Sequence, residues 1–285
     1  MRLHMIDLHT HSNFSDGTDT PTELLNKAMA TGLTTIALTD HDTVAGWDEA
    51  MSHLRPGLSL VLGSEISCQT SDGISVHMLG LLFDWTYQPL TEMMALTREN
   101  RVTRMAKILD RLNKANYDIS MEEVEAQLSD GATLGRPHLA DALIAKGYME
   151  SREEVFAEIL HNDSPFYVSH YSPTPEVAIA LIKEAGGVAV IAHPMSSLRS
   201  RVVSPETFES YVKAGLDGIE VFHRDHTYEN RILLSAIADD FGLAKTGSSD
   251  YHGNGKLNQL GECITEPKEF EKLEARANQR RVISR

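Results

Sequence analysis

Short β-branched segments alternate with longer amphipathic ones through most of this chain, and each short segment carries a histidine or a carboxylate at or beside one end. The segments 3–8, 34–38, 58–66, 74–83, 187–192, 218–222 and 243–246 read as strands. Between them, 21–31, 43–54, 175–185, 205–214 and 228–241 read as helices. The first helix is the best punctuated, with Thr20 as N-cap, Pro21 at the first position and Gly32 at the end. Such alternation requires a mainly parallel sheet covered by helices, and about seven strands suit a barrel of the (β/α) type better than an open sheet. In these barrels reacting groups sit where strands end and loops begin.

The rhythm breaks once. Residues 90–115 form a long helical pattern, and 121–128, 136–146 and 152–160 follow as shorter helices with no strand between them. Residues 95–165 are therefore expected to be a helical insert (cap) domain, splitting a barrel made of 1–94 and 166–285. The turn-like Ser71-Asp72-Gly73 separates the third and fourth strands.

Potential ligands gather at the strand ends. Asp7, His9 and His11 close the first strand and Asp16 follows; Asp40, His41 and Asp42 close the second. Glu65 ends the third, His77 lies near the start of the fourth, His193 terminates the fifth, and Asp250 and His252 follow the last. A barrel brings these positions to one mouth. His9 and His11 lie two residues apart, as do Asp250 and His252, so each pair faces one side of an extended segment. Imidazole and carboxylate ligands without thiolate suit Zn, Mn or Fe. A solitary histidine is ordinarily a core or surface group, and His4, His53, His161 and His170 are read that way. Six histidines and three carboxylates converging together are different, because burying them without a cation costs several kcal/mol for each unpaired charge.

Composition narrows the partners. The chain has 285 residues, 41% hydrophobic and 24% charged, with a formal net charge of −15. That charge disfavours a long nucleic-acid backbone, although bound cations can reverse the field locally for a small anion. No apolar run is long enough for a membrane helix. The N-terminal residues show no signal-peptide pattern, and Cys68 and Cys263 imply no disulfide framework, so the cytoplasm is the expected compartment.

Taken in order, Asp7-Leu8-His9-Thr10-His11 with Ser15-Asp16-Gly17, Thr39-Asp40-His41-Asp42, Gly63-Ser64-Glu65, Val76-His77, Ala192-His193-Pro194 and Ser249-Asp250-Tyr251-His252-Gly253 resemble the motifs of the PHP (polymerase and histidinol phosphatase) family of metal-dependent phosphoesterases. The resemblance implies an α/β fold, a distorted (β/α)7 barrel, and two to three divalent metal ions. It implies one metal on His9, His11, Glu65 and Asp250; a second on Glu65, His77 and His193; and a third on Asp16, His41 and His252. Asp16 stands where some family members carry histidine. Asp7 and Asp40 would then orient imidazoles from outside the cluster, as ligating histidines commonly require.

Within the family, 39–46 and Gly135-Arg136-Pro137-His138-Leu139-Ala140 are most similar to the branch of 3′,5′-nucleotide bisphosphate phosphatases and 5′-to-3′ oligoribonucleases. The implied reaction is hydrolysis of a phosphate monoester of a small nucleotide by a metal-bridging hydroxide. Exonucleolytic attack on short RNA and a histidinol-phosphate-type phosphatase are the alternatives; a non-catalytic metal-binding module is a third class. Arg136 and His138 are candidates for phosphate recognition, because a guanidinium fork matches phosphate. His223, Arg224 and His226 follow the sixth strand and are either substrate contacts or loop surface, with His223 and Arg136 the candidate catalytic groups. Arg98, Arg101, Arg104, Lys107 and Arg111 form a cationic series at helical spacing, either a solvated face or a track for RNA.

Overall fold

Thr20 begins the first helix by accepting the Glu23 amide at 3.1 Å, while the Glu23 carboxylate accepts the Thr20 amide at 2.9 Å. Pro21 occupies the first turn, and Gly32, at φ +86°, turns the chain out beyond the far end. The computed structural model describes residues 4–129, 132–161, 163–169, 171–196 and 201–285. Leu3 of the expected first strand, and His170, lie outside the described residues.

In chain order the barrel elements are β1 (Ile6–Asp7), α1 (Pro21–Ala30), β2 (Thr35–Leu38), α2 (Trp47–His53), β3 (Ser59–Gln69) and β4 (Ser75–Leu81). The helices α3 (Gln88–Lys114), α4 (Met121–Glu125), α5 (Arg136–Ala145) and α6 (Arg152–Glu158) follow. Then come α7 (Pro175–Glu184), β5 (Val188–Ala192), α8 (Thr207–Ala214), β6 (Gly218–Phe222), α9 (Tyr228–Phe241), β7 (Ala244–Gly247), α10 (Pro267–Arg276) and β8 (Ile283–Ser284). Strands β1 to β7 pair in sequence order, and a parallel bridge from Thr10 to Tyr251, with the His11 amide on the Tyr251 carbonyl at 2.9 Å, brings the last strand end back to the first. The result is a near-closed, distorted (β/α)7 barrel with additional helices. No helix among the described residues is long and apolar enough to cross a membrane.

The sheet is not uniformly parallel. β4 runs antiparallel to both β3 and β5, because it returns from β3 through the tight turn at Ser71-Asp72-Gly73. That reversal places His77 opposite Ala192, the last residue of β5. In an all-parallel barrel a residue at the start of a strand would sit at the wrong end; here His77 reaches the same mouth as the ends of the other strands.

Strand periodicity separates two apolar clusters. Ala37, Val61, Leu79, Val188 and Val190 point into the barrel, where Phe270 and Leu273 of α10 join them. The intervening Ile36, Leu38, Leu60, Leu62 and Ile191 face the surrounding helices. The third cluster, from Met105 to Val168, belongs to the helices 105–160 and the segment after them. α3 serves both sides: Leu90, Met93 and Met94 pack on the barrel, whereas Met105, Ile108, Leu109 and Leu112 pack among the later helices.

Candidate metal centre and active site

Glu65 stands at the middle of the mouth. Its Oε2 lies 3.1 Å from His11 Nε2 and 3.2 Å from both His9 Nε2 and His41 Nδ1. Its Oε1 lies 2.6 Å from His77 Nδ1 and 3.1 Å from His193 Nε2. Asp250 Oδ1 is 3.4 Å from both His9 Nε2 and His11 Nε2, and Asp16 Oδ1 is 3.1 Å from His252 Nε2. All nine candidate ligands thus meet around one carboxylate. Three overlapping groups have ligand atoms close enough to share an ion: His9, His11, Glu65 and Asp250; His11, Asp16, His41 and His252; and His41, Glu65 and His77.

The backbone delivers these side chains by leaving ordinary geometry at strand ends. Asp42, His193 and Asp250 all have positive φ (+53°, +30° and +53°), a conformation that L-residues adopt reluctantly and that concentrates at functional sites. Two glycines let the loops close. A Cβ on Gly17 would come within 2.6 Å of the His11 carbonyl oxygen, and one on Gly253 within 2.1 Å of Thr18 Oγ1.

The donor set fits divalent cations. Ligands about 2.1 Å from a shared ion lie roughly 3.0–3.5 Å from each other, the spacing found around Glu65 and Asp250. His9 Nε2 and His11 Nε2 face each other at 3.1 Å, and Asp16 Oδ1, His41 Nδ1, Asp250 Oδ1 and His252 Nε2 are buried without a hydrogen-bond partner. Buried polar atoms in folded proteins are ordinarily satisfied, so four orphans among the candidate ligands mark a place for ions. The charge states agree. Burial acts hardest on Glu65 and raises its pKa, yet His41, His77, His9 and His11 together hold it well below the ordinary carboxylate range. Burial likewise pulls His11 down, and Asp250, Glu65 and Asp16 outweigh it, lifting His11 to about 9. His9 and His11 are drawn toward the protonated form, in which a cation would displace the proton, whereas burial pushes His41 and His252 toward the neutral form that ligates. Its residues have the capacity for several divalent metal ions.

The outer carboxylates differ from expectation. Asp7 accepts the amides of Ser249 and Gly261, both at 3.0 Å, and Asp40 accepts the Ser12 amide and the Ser12 and Ser15 hydroxyls at 2.7–2.8 Å. Neither touches an imidazole of the cluster by hydrogen bond; both brace the loops that carry the ligands. The carboxylate that does reach a ligand ring is Glu220, absent from the sequence expectation. It lies 3.3 Å from His9 Nδ1 and accepts the His193 amide at 2.8 Å, wholly buried in β6. Proton donation from Nδ1 to Glu220 leaves the His9 Nε2 lone pair turned to the cluster. A lone acid within the apolar segment Gly218-Ile219-Glu220-Val221-Phe222 was the available signal.

Residues 7–184 match the family model for the PHP domain. The chain belongs to the PHP family. A 5′-3′ exoribonuclease of Haemophilus influenzae is 34% identical over 248 residues, covering 86% of this chain and 89% of the relative. A 3′,5′-nucleoside bisphosphate phosphatase of Chromobacterium violaceum is 32% identical over 252 residues, 88% of each chain. Among solved structures, a protein of Bifidobacterium adolescentis assigned as a metal-dependent phosphoesterase superimposes with a TM-score of 0.91 at 39% identity over 97% of both chains. With this fold and this cluster, the chain is a metal-dependent phosphoesterase.

The expected substrate groups of this PHP protein divide. His223 joins the mouth: it is fully buried, its ring lies 5.4 Å from His193, and its Nε2 is 3.7 Å from Asp250 Oδ2 with no hydrogen-bond partner. His226 uses both nitrogens on backbone, Nδ1 donating to the Val221 carbonyl at 2.9 Å and Nε2 accepting the Met195 amide at 3.3 Å. Arg224 donates to the Leu257 carbonyl at 2.7 Å and pairs with Glu262 at 3.2 Å. His138 Nδ1 accepts the Gly135 amide at 3.1 Å, capping α5, and Arg136 donates to the Leu160 carbonyl at 2.7 Å beneath Phe156.

Two cations at the mouth escaped the sequence reading. Lys256 Nζ is 2.7 Å from Asp250 Oδ2. Arg152 of α6 pairs with Asp141 and reaches the Gly255 carbonyl at 3.3 Å.

Proposed function

We propose that this protein hydrolyses a phosphate monoester of a small nucleotide, such as a 3′,5′-nucleotide bisphosphate. The observation that carries the reading is the meeting of eight imidazole and carboxylate side chains around Glu65 in a PHP barrel whose relatives include a nucleoside bisphosphate phosphatase. His9, His11, Asp16, His41, Glu65, His77, His193, Asp250 and His252 would hold two to three ions of Mn, Zn or Fe. Bound there, such ions lower the pKa of water and neutralise charge on phosphoryl oxygens.

The chain's own residues then have distinct work. Glu220 fixes the His9 ring. His223, with Nε2 open to the mouth beside Asp250, is placed to donate a proton to the departing ester oxygen. Lys256 is placed to engage a phosphoryl oxygen when cations relieve it of Asp250. We read the helices of 95–165 as a cap that closes over the mouth, with Arg136 and His138 shaping its inner wall.

A second reading keeps the same centre and processes short RNA from its 5′ end, supported by the exoribonuclease relative and the arginines of α3. The two are separated by assaying metal-loaded protein side by side on adenosine 3′,5′-bisphosphate, histidinol phosphate and a 5′-labelled short RNA. Preferred turnover of the bisphosphate is expected. Faster processive shortening of the RNA would replace the first reading with the second, and no turnover with Mn, Zn or Fe would end both.

A further inference from the structure

The cationic series of α3 does not act as one stripe. Arg101 faces the mouth, with Nη2 2.8 Å from Asp42 Oδ2 and a further hydrogen bond to Ser67, which sits opposite His77 in the β3–β4 ladder. Arg104 lies one turn farther along, about 4.5 Å in helix rise, and Lys107 one turn beyond that. Arg104 donates Nε–H to the Val168 carbonyl at 2.7 Å and lies over the Tyr167 ring at 5.3 Å, and neither partner is acidic. Burial, and then the nearby guanidiniums of Arg136 and Arg101, push Arg104 down to about 9.

Beside these cations is a cavity of about 320 Å³ lined by Asn100, Thr103, Arg104, Lys107, Ser169 and Tyr171. Its wall combines two cations, three neutral hydrogen-bonding side chains and a half-exposed aromatic ring, and no carboxylate is among the described lining residues. In a chain with a net charge of −15, a pocket whose described lining offers two cations and no acid has a local field that favours an anion. Arg104 presents a fork and Lys107 a point charge, the pairing suited to phosphate oxygens. The Tyr171 face offers a surface on which a base can stack.

We propose that this cavity binds a phosphate group of the substrate other than the one hydrolysed. The proposal rests on the nucleotide reading above and deepens it, because a substrate held at both places must carry a second phosphate. That phosphate belongs either to a mononucleotide bisphosphate or to the next linkage of a short oligonucleotide; the chemistry recognised is the same.

The test uses wild type, Lys107→Glu and Tyr171→Ala. Both residues are exposed, and unchanged melting temperatures would certify the fold. Metal-free protein is titrated with adenosine 3′,5′-bisphosphate, adenosine 3′-monophosphate and a 5′-phosphorylated RNA pentamer. Lys107→Glu is expected to weaken the bisphosphate and the pentamer about tenfold, and the monophosphate much less. In the metal-loaded enzyme the ratio of kcat/KM for bisphosphate over monophosphate should fall by the same factor. A loss confined to the pentamer assigns the phosphate to an oligonucleotide and upholds the site. Equal losses for all three ligands, or none, would overturn it. A wild type that binds through Lys107 yet turns over no nucleotide would sink the phosphatase reading and leave the site standing.

Discussion

The mouth of the barrel and the inserted helices α3 to α6 gather charge in opposite ways. At the mouth, Glu65, Asp16 and Asp250 are buried with five imidazoles and the half-buried His77, and ligand atoms such as Asp250 Oδ1 and His252 Nε2 have no hydrogen-bond partner. In the inserted helices arginines are spent on specific partners: Arg98 on the Asp42 carbonyl, Arg101 on the Asp42 carboxylate, Arg152 on Asp141. Unsatisfied ligand atoms define a place for ions, whereas satisfied arginines define an orientation. On the function proposed above, the chemistry falls to the first region and the fit of the substrate to the second, and substitutions can disturb each in turn.

Glu65→Gln attacks the mouth where it is most connected, because both carboxylate oxygens lie within 3.2 Å of ligand nitrogens. Metal affinity should fall by more than the roughly 10–100-fold typical of outer-sphere partners, and phosphatase activity with it. Metal content by elemental analysis reads the first effect directly. Retention of full metal stoichiometry would show that Glu65 is not the hub of the cluster.

Arg101→Ala attacks the inserted helices where α3 is tied to Asp42. Asp42 is fully buried, and removing its guanidinium partner leaves a buried charge uncompensated, a loss of about 3–5 kcal/mol. Denaturant unfolding should register that loss while metal content at saturating Mn stays intact. A change below about 1 kcal/mol would mean that the pair behaves like an exposed one.

Most ligands were legible in the sequence because they stand at or just beyond the ends of strands whose β-branched pattern is plain; Glu65 falls instead inside β3, which runs on to Gln69. His77 was legible as a ligand but not as a direction: it reaches the mouth only because β4 runs backwards, and the turn at Ser71-Asp72-Gly73 was the clue. The helix α10 and the strand β8 were not foreseen. Their signal is short: Pro267 opens a helix with only Phe270 and Leu273 buried, which packs on β7, and the partner of β8 is β3, 225 residues away. The arginines of α3 could not be resolved between solvent and RNA, since the Asp42 side chain that takes Arg101 is distant in sequence. Glu220 was passed over because a single acid in an apolar strand says nothing until the ring it touches is known.

Glu220→Gln sharpens the distinction between holding a metal and positioning its ligand. The amide preserves shape and can still face His9 Nδ1, but it loses the charge that favours the Nδ1–H tautomer. Affinity for Mn should fall about 10–100-fold with little loss of fold. The position of the His9 ring resonances by NMR would register the altered tautomer, which a purely structural role for Glu220 would leave unmoved.

The smallest effects come from two matched helix caps, one in each region. Thr20 caps α1 of the barrel and Ser120 caps α4 of the inserted helices, each in a reciprocal capping box with a glutamate three residues on. Replacing either by alanine removes one amide acceptor and should cost about 1 kcal/mol. Hydrogen exchange should speed up at α1 amides in Thr20→Ala and at α4 amides in Ser120→Ala, because Val124 packs in a cluster separate from the one that holds Leu24 and Leu25. Metal affinity should be unchanged in Ser120→Ala. If it falls, loosening α4 is felt at the mouth through α3, and the two regions must be treated as one cooperative unit rather than a rigid centre and a separable insert.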